Sequence, residues 1–258
     1  MSSTYDDAHI HPEYVLGRLK AIRDKRMRIL SLVSALADGT PNSWVDAIAT
    51  IIARAHQTGD VDAMLALDCI THAAASPILS YTTRQALYEA AITCERPAIA
   101  RLFLTISPPP RALGASARAQ LGPERPLVPS GRALTLGERK ALARTHRRDQ
   151  ILLLVRDPHP AVVAILLDNP HLAESDVLVI ASMRPAVPAS LASVATHAKW
   201  SAQHAVKRAL VQNPSTPLAD AIRIATTLRG TELAELATDP ALPEPLRAHA
   251  AELRRLLR

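Results

Sequence analysis

The sequence predicts an all-α protein, on two observations of composition and one repeat. Ala, Leu and Arg, all good helix formers, dominate the 258 residues, whereas aromatic residues make up 3% and glycines number 8. No run alternates apolar and polar residues between turn signals, as a strand would. The stretch AVVAILLDNPHLAESDVLVIA at 161–181 recurs without a gap as AVKRALVQNPSTPLADAIRIA at 205–225. Stacked helical units repeat in this way, because one helix pair cannot bury its own apolar face.

The first 105 residues predict an N-terminal region of helical hairpins. Apolar residues recur at helical spacing from Val15 to Leu36, and Gly39 with Pro41 supplies a stop after them. Later breaks fall at Gly59, Pro77, Pro97 and the prolines after Ser107. The predicted helices run over residues 12–36, 43–56, 61–75, 83–94 and 98–105.

Residues 106–134 predict a linker between two helical regions. Between Ser107 and Ala133 the chain has six prolines and three glycines and shows no apolar period. Such composition is typical of a linker or a long mobile loop.

Residues 135–258 predict a C-terminal domain of short helices. Thr135 and Glu138 have the spacing of a capping box, in which each side chain binds the other residue's backbone N–H. From Pro158 onward, prolines fall at short intervals. Because proline is accepted in the first turn of a helix and not in its middle, this spacing predicts a series of short helices.

The repeated unit has a recognisable pattern. An apolar stretch around Leu166 ends at Asn169-Pro170, and the second copy repeats this around Leu210 with Asn213-Pro214. A looser third copy reads LAELATDPALPEPLRAHA. Over about residues 150–258 this resembles the leucine-rich repeat variant family, whose units resemble VRRALAxNPxTPxxxLxxLA.

The resemblance implies a right-handed α-solenoid of short stacked helices, similar in outline to HEAT-like repeats. The family's founding example is associated with an iron–sulfur cluster that cysteines bind in a separate segment. Cys69 and Cys94 are the only cysteines here and match no such cluster, so no cofactor is expected.

Basic residues concentrate in the middle of the chain. Residues 105–149 have nine basic and three acidic side chains, which accounts for the whole net charge of +6. Phosphate backbones favour such a patch through counterion release, although aromatic stacking partners are missing nearby. An Arg-rich composition, with 25 Arg against 5 Lys, is the alternative cause. The candidate residues for binding nucleic acid or another anion are Arg139, Lys140, Arg144, Arg147 and Arg148.

Three other groups of polar residues have structural interpretations. The basic side chains of RLKAIRDKRMR at 18–28 point all round a helix, which favours a solvated or interhelical surface. In THAKWSAQHA, which also holds His197, Lys199 and His204, Trp200 is expected to fill the joint between repeats and Ser201 to cap the next helix. His9 and His11 form an HxH pair in a terminus that is expected to fray, so no metal site is expected there.

The expected function is non-catalytic. None of the common nucleotide-binding, metalloprotease or hydrolase motifs occurs. We expect a cytoplasmic adaptor or assembly subunit that binds another protein through its helical-repeat surface, with nucleic-acid binding through segment 105–149 as the alternative. No run of 18 apolar residues is present, so no contact with a membrane is expected. The partner's identity and the oligomeric state stay open.

Overall fold

The structure is a computed structural model that describes residues 10–104 and 134–257. The described residues form fifteen α-helices and one short 3-10 helix and contain no β-strand, so the predicted all-α class is confirmed at this level. The predicted linker at 106–134 lies outside the described residues, except for residue 134.

Two compact units are present. The first combines the described residues up to 104 with those from 222 onward, and the second comprises the described residues from 134 to 221.

Six helices form the N-terminal part of the first unit. They are α1 (Pro12–Ala21), α2 (Lys25–Asp38), α3 (Pro41–Gln57), α4 (Val61–Ala75), α5 (Tyr81–Thr93) and α6 (Pro97–Phe103). Helix α4 has the predicted bounds, and α3, α5 and α6 differ from theirs by one or two residues. Helix α4 packs against α1, α2, α3 and α6, so it lies at the centre of this part of the unit.

The single helix predicted over residues 12–36 is wrong, since the chain forms two. Ile22 has extended backbone angles (φ −90°, ψ 119°), and Asp24 begins the second helix by accepting a hydrogen bond from the Met27 N–H at 2.8 Å. The Arg28 guanidinium donates to the carbonyl oxygens of Leu19 and Ile22, which belong to the end of α1. The apolar period continues across the break, so periodicity alone could not locate it.

Gly39 ends α2 as predicted, for a reason that the sequence does not show. Its φ is −94°, which any residue adopts, and its N–H donates to the Ala35 carbonyl. A Cβ atom at this position would lie 2.4 Å from Nε1 of Trp44. The buried Trp44 indole, which donates to the Ala35 carbonyl at 3.1 Å, therefore requires glycine here.

The last two helices pack with the N-terminal ones. They are α14 (Gly230–Thr238) and α15 (Glu244–Leu256), which pack against each other, and α15 also packs against α6. His56 on α3 binds the Thr226 carbonyl with its Nε2 at 2.9 Å. The predicted domain division placed residues 222–258 with the repeats, whereas their contacts group them with the first unit. The repeat motif is a local sequence pattern, so it does not show which distant helices residues 222–258 will contact.

The second unit is a series of short helices. These are α7 (Leu136–Leu142), α8 (Arg148–Leu154), α9 (Pro160–Leu167), α10 (Glu174–Ser182), α11 (Pro188–Thr196), the 3-10 turn Trp200–Ala202 and α12 (His204–Gln212), and the chain continues into α13 (Leu218–Ala225). Prolines begin α9 and α11, and the predicted capping box of Thr135 and Glu138 is present. Helix α9 packs against α7 and α11, and α10 packs against α12, so each of these contacts joins helices two apart in the chain.

Candidate functional site

Arg139, the first candidate anion-binding residue, is a structural group. It begins the last turn of α7 and is only 8% exposed. Its Nη1 donates to both carboxylate oxygens of Asp157 at 3.0 Å, and Asp157 is 3% exposed. Asp157 also accepts from the His159 N–H at 2.8 Å, just before α9. This ion pair therefore links the last turn of α7 to the start of α9, and its charge is compensated inside the unit.

Two more candidates also have carboxylate partners. Arg148 at the start of α8 binds Asp176 of α10 with both terminal nitrogens, one of them at 2.7 Å. Asp176 is buried, and hydrogen bonding from Arg148 holds the pKa of its carboxyl below the ordinary value. Asp176 also accepts from the Ala173 N–H at 2.9 Å, which caps α10. Arg147 pairs on the surface with Asp149 at 3.2 Å.

The remaining candidates, Lys140 and Arg144, have no carboxylate partner among the described residues. Arg144 is exposed and donates to the Lys140 carbonyl at 2.9 Å. Arg156, which was not among the candidates, is likewise exposed and shows no ion pair within the described part of the chain. Residues 139–156 have six basic side chains, and three of these meet Asp149, Asp157 and Asp176. The free positive charge of this region is therefore Lys140, Arg144 and Arg156.

Exposed apolar side chains lie on α8 and α10, the helices that Arg148 and Asp176 join, and sequence reasoning missed them. Leu152 and Leu153 of α8 are 51% and 46% exposed, and Val179 of α10 is 40% exposed. Leu152 lies four residues after Arg148, and Val179 lies three residues after Asp176. Since such spacings bring side chains together on a helix, Leu152 and Val179 each lie one turn from the ion pair that joins their helices. The segment ILLLV at 151–155 is apolar throughout, so its sequence does not show which leucines face solvent.

The asparagines of the two repeat copies make the same contacts. The Asn169 amide donates to the carbonyls of Ala143 and Thr145 at 2.9 and 2.8 Å, and its oxygen accepts from the His171 N–H at 2.9 Å. Asn213 repeats this with Ala181 and Met183 at 2.8 and 3.0 Å and with the Ser215 N–H at 3.0 Å. Both side chains are buried. Each asparagine thus ties the end of its helix to the end of the helix two before it.

The looser copy keeps only half of this arrangement. Asp239 accepts from the Ala241 N–H at 2.9 Å, as the asparagine oxygens do two residues ahead. A carboxylate has no N–H to donate, so it cannot bind the carbonyls of another helix. Asp239 aligns with Asn213 when the copies are compared. Its carboxylate cannot donate as the asparagine amide does, so the contact with carbonyls of another helix is missing.

Trp200 is buried where the repeat joint was predicted. Its indole N–H donates to the Leu167 carbonyl at 2.9 Å, and the Lys199 ammonium lies 3.9 Å from the ring centroid. His197 accepts from the Lys199 and Trp200 N–H groups through Nδ1 and contacts Asp168 through Nε2 at 3.2 Å. Asp168 lies 29 residues before His197 in the chain, and it is largely exposed. The geometry indicates a junction between α9 and the 3-10 turn.

The predicted cap at Ser201 is wrong. Helix α12 begins at His204 after Gln203, which makes no side-chain cap, and Ser201 instead lies within the 3-10 turn. The Ser201 hydroxyl is buried and has no hydrogen-bond partner among the described residues. The 3-10 turn at Trp200–Ala202 moves the start of α12 to His204, and the sequence pattern did not indicate this turn.

The first unit has a buried histidine that sequence reasoning also missed. His249 of α15 is fully buried, and its Nε2 lies 2.9 Å from the Thr226 hydroxyl. That hydroxyl donates to the Ile222 carbonyl at 2.9 Å, so His249 is the donor in the first contact. Burial, with the positive charge of Arg101, lowers the pKa of His249 to about 3. His249 is therefore neutral at ordinary pH.

Basic residues of α1 and α2 contact other helices. Lys20 and Lys25 pair with Asp62 and Asp68 of α4 at 2.7 and 2.8 Å, as an interhelical charged surface would. His9 of the HxH pair lies outside the described residues. No group of three His, Cys, Asp or Glu side chains that could hold a metal occurs within residues 10–104 and 134–257. Cys69 is buried, and burial raises the pKa of its thiol to about 11.

No family model, curated protein or solved structure matches the chain. The resemblance to leucine-rich repeat variants therefore rests on the residues of the repeat copies. Over the ranges that the structure describes, none of the helices combines the length and apolarity needed to cross a membrane.

Proposed function

We propose that the protein is a non-catalytic interaction module, a cytoplasmic adaptor or assembly subunit that binds another protein through its second unit. The observation that carries this proposal is the exposure of Leu152, Leu153 and Val179 on two helices that an ion pair holds together. We call these three residues, with Arg148 and Arg156, the α8–α10 surface. Exposed apolar groups surrounded by polar ones are characteristic of protein-binding sites.

We also infer that the second unit is a short α-solenoid related to leucine-rich repeat variants and HEAT-like repeats. Packing of α9 on α7 and α11, and of α12 on α10, supports this inference. The matching contacts of Asn169 and Asn213 support it as well, because a solenoid repeats the same environment from unit to unit. Such a stack would present α8 and α10 as parts of one extended surface.

The test is capture of partners from a native lysate on the immobilised full chain, with and without nuclease. The expected result is a protein that is retained after nuclease treatment by the unmodified chain and lost by the double variant Leu152→Ser, Leu153→Ser. Ile92→Ser is the matched control, since Ile92 is 50% exposed on a helix of the other unit. Loss of all capture after nuclease treatment would refute protein binding and favour the alternative, nucleic-acid binding through Lys140 and Arg144.

A further inference from the structure

The α8–α10 surface combines apolar side chains with unpaired positive charge. Arg148 and Leu152 are four residues apart on α8, so they lie on the same side of the helix, and Arg156 follows Leu152 by four residues in the turn just after α8 ends. Val155 keeps right-handed helical angles (φ −56°, ψ −27°), so the helical path continues towards Arg156. Leu152 and Leu153 therefore lie in the chain between two arginines, Arg148 at the start of α8 and Arg156 just beyond its end.

The two flanking arginines differ in what they can offer. Arg148 is bound to Asp176, and its side chain is half exposed, so its aliphatic part is available for apolar contact while its charge is balanced. Arg156 is exposed and shows no carboxylate partner in the described part of the chain. Arg147, which immediately precedes Arg148, has its charge balanced by Asp149. Of the charged side chains that flank Leu152 in the chain, Arg156 is therefore the one without an ion pair among the described residues.

We propose that the α8–α10 surface binds an acidic amphipathic helix of a partner protein, with the partner's apolar side chains on Leu152, Leu153 and Val179 and its carboxylates facing Arg156. This proposal rests on the proposed function and specifies the partner's chemistry. An apolar centre requires apolar groups from the partner, since a phosphate backbone would leave three exposed aliphatic side chains without contact. The unpaired arginine makes an acidic partner more favourable than a neutral or basic one.

The test is selection of binders from a phage-displayed library of random peptides on the immobilised full chain. The selected peptides are then synthesised with a fluorescein label, and their affinities are measured by fluorescence anisotropy. The expected peptides combine Leu, Ile or Phe at helical spacing with an excess of Asp and Glu. Leu152→Ser should weaken their binding about tenfold, as loss of one central apolar contact does, while Ile92→Ser leaves it unchanged.

Arg156→Gln tests the charge separately from the apolar contact. It should weaken binding about threefold or more at low salt, with a smaller effect at high salt, because a charge at the rim acts mainly on association. Circular dichroism of each variant checks that the helices are intact. Since Leu152 and Arg156 are exposed, the fold is expected to tolerate both changes.

Several outcomes would overturn the proposal. No enrichment, enriched peptides without an acidic excess, or affinities that Leu152→Ser leaves unchanged would each do so. Duplex DNA binding that Arg156→Gln weakens, with no peptide selected, would assign the surface to nucleic acid. Peptides that bind elsewhere would refute this surface and leave protein binding in place, whereas loss of lysate capture after nuclease treatment would refute the proposed function itself.

Discussion

Arg139 and Lys140 are neighbours in the sequence, and their replacement is expected to have very different effects on stability. Arg139→Gln removes the positive member of a pair whose groups are 8% and 3% exposed. Asp157 would then remain buried with its charge uncompensated. Removing one partner of a buried ion pair typically costs about 3–5 kcal/mol. Lys140→Gln changes a partly exposed side chain that has no ion pair among the described residues, and such changes fall within about 0.5 kcal/mol.

The Coulomb attraction gives an independent check of this magnitude. Each oxygen of Asp157 lies 3.0 Å from Nη1 of Arg139, so the charge centres are about 4 Å apart. At an effective dielectric constant of about 20, that separation corresponds to about 4 kcal/mol. The retained hydrogen bond from the His159 N–H to Asp157 offsets a part of the loss.

The assay is urea unfolding followed by tryptophan fluorescence. The chain has two tryptophans, Trp44 in the first unit and Trp200 in the second. In a Trp44→Phe background, Trp200 alone reports on the unit that holds Arg139. With a slope of about 2 kcal/mol per molar urea, Arg139→Gln should lower the midpoint by roughly 1.5–2.5 M and Lys140→Gln by less than about 0.3 M. Equal midpoints for the two variants would refute the buried ion pair.

Three further predictions concern other buried groups. Leu166→Ala and Leu210→Ala should each cost about 2–5 kcal/mol and by similar amounts, since both side chains are fully buried at equivalent repeat positions; unequal urea midpoints would contradict the equivalence. Asn213→Ala should cost about 2–4 kcal/mol in the same assay, because it leaves two carbonyls and one N–H without their partner, and an unchanged midpoint would exclude these contacts. His249 has a pKa of about 3 when folded and 6.5 as its ordinary value, so the unfolded chain binds more protons between these values. The contribution of neutral His249 to stability is complete above about pH 6.5 and is lost as pH falls towards 3. The free energy of unfolding of His249→Gln should therefore change less with pH over this range. Identical slopes of unfolding free energy against pH for the variant and the unmodified chain would refute the burial of His249 as a neutral group.

Local signals in the sequence predicted local structure well. The capping box at Thr135 depends on residues three apart, and α4 is bounded by Gly59 before it and Pro77 after it, so both could be predicted from spacing alone. The break between α1 and α2 was missed because the apolar period continues through residue 22, although Asp24 is a local cap and Arg28 reaches back to the end of α1. Periodicity alone therefore predicted one helix over residues 12–36.

The candidate site shows the same limit at longer range. The basic cluster was found from composition. Whether its arginine charges are paired depends on Asp157, 18 residues after Arg139, and on Asp176, 28 residues after Arg148. Side-chain pairing over such separations follows from helix packing and has no local signature. The exposure of Leu152 was missed for a similar reason, since ILLLV is apolar on every side and only packing decides which leucines are buried.

These ion pairs change what the basic cluster implies for binding nucleic acid. Five free cations, each contacting one phosphate, would give a slope of log K against log salt of about −4.5 on duplex DNA. Arg139, Arg147 and Arg148 already neutralise carboxylates, and moving them to phosphates would leave Asp157 and Asp176 buried and unpaired. The three cations without a carboxylate partner among the described residues, Lys140, Arg144 and Arg156, would give a slope of about −2.7, which corresponds to weaker attraction. In the proposed interaction Arg156 attracts the carboxylates of the acidic segment, and apolar contact with Leu152 supplies the affinity.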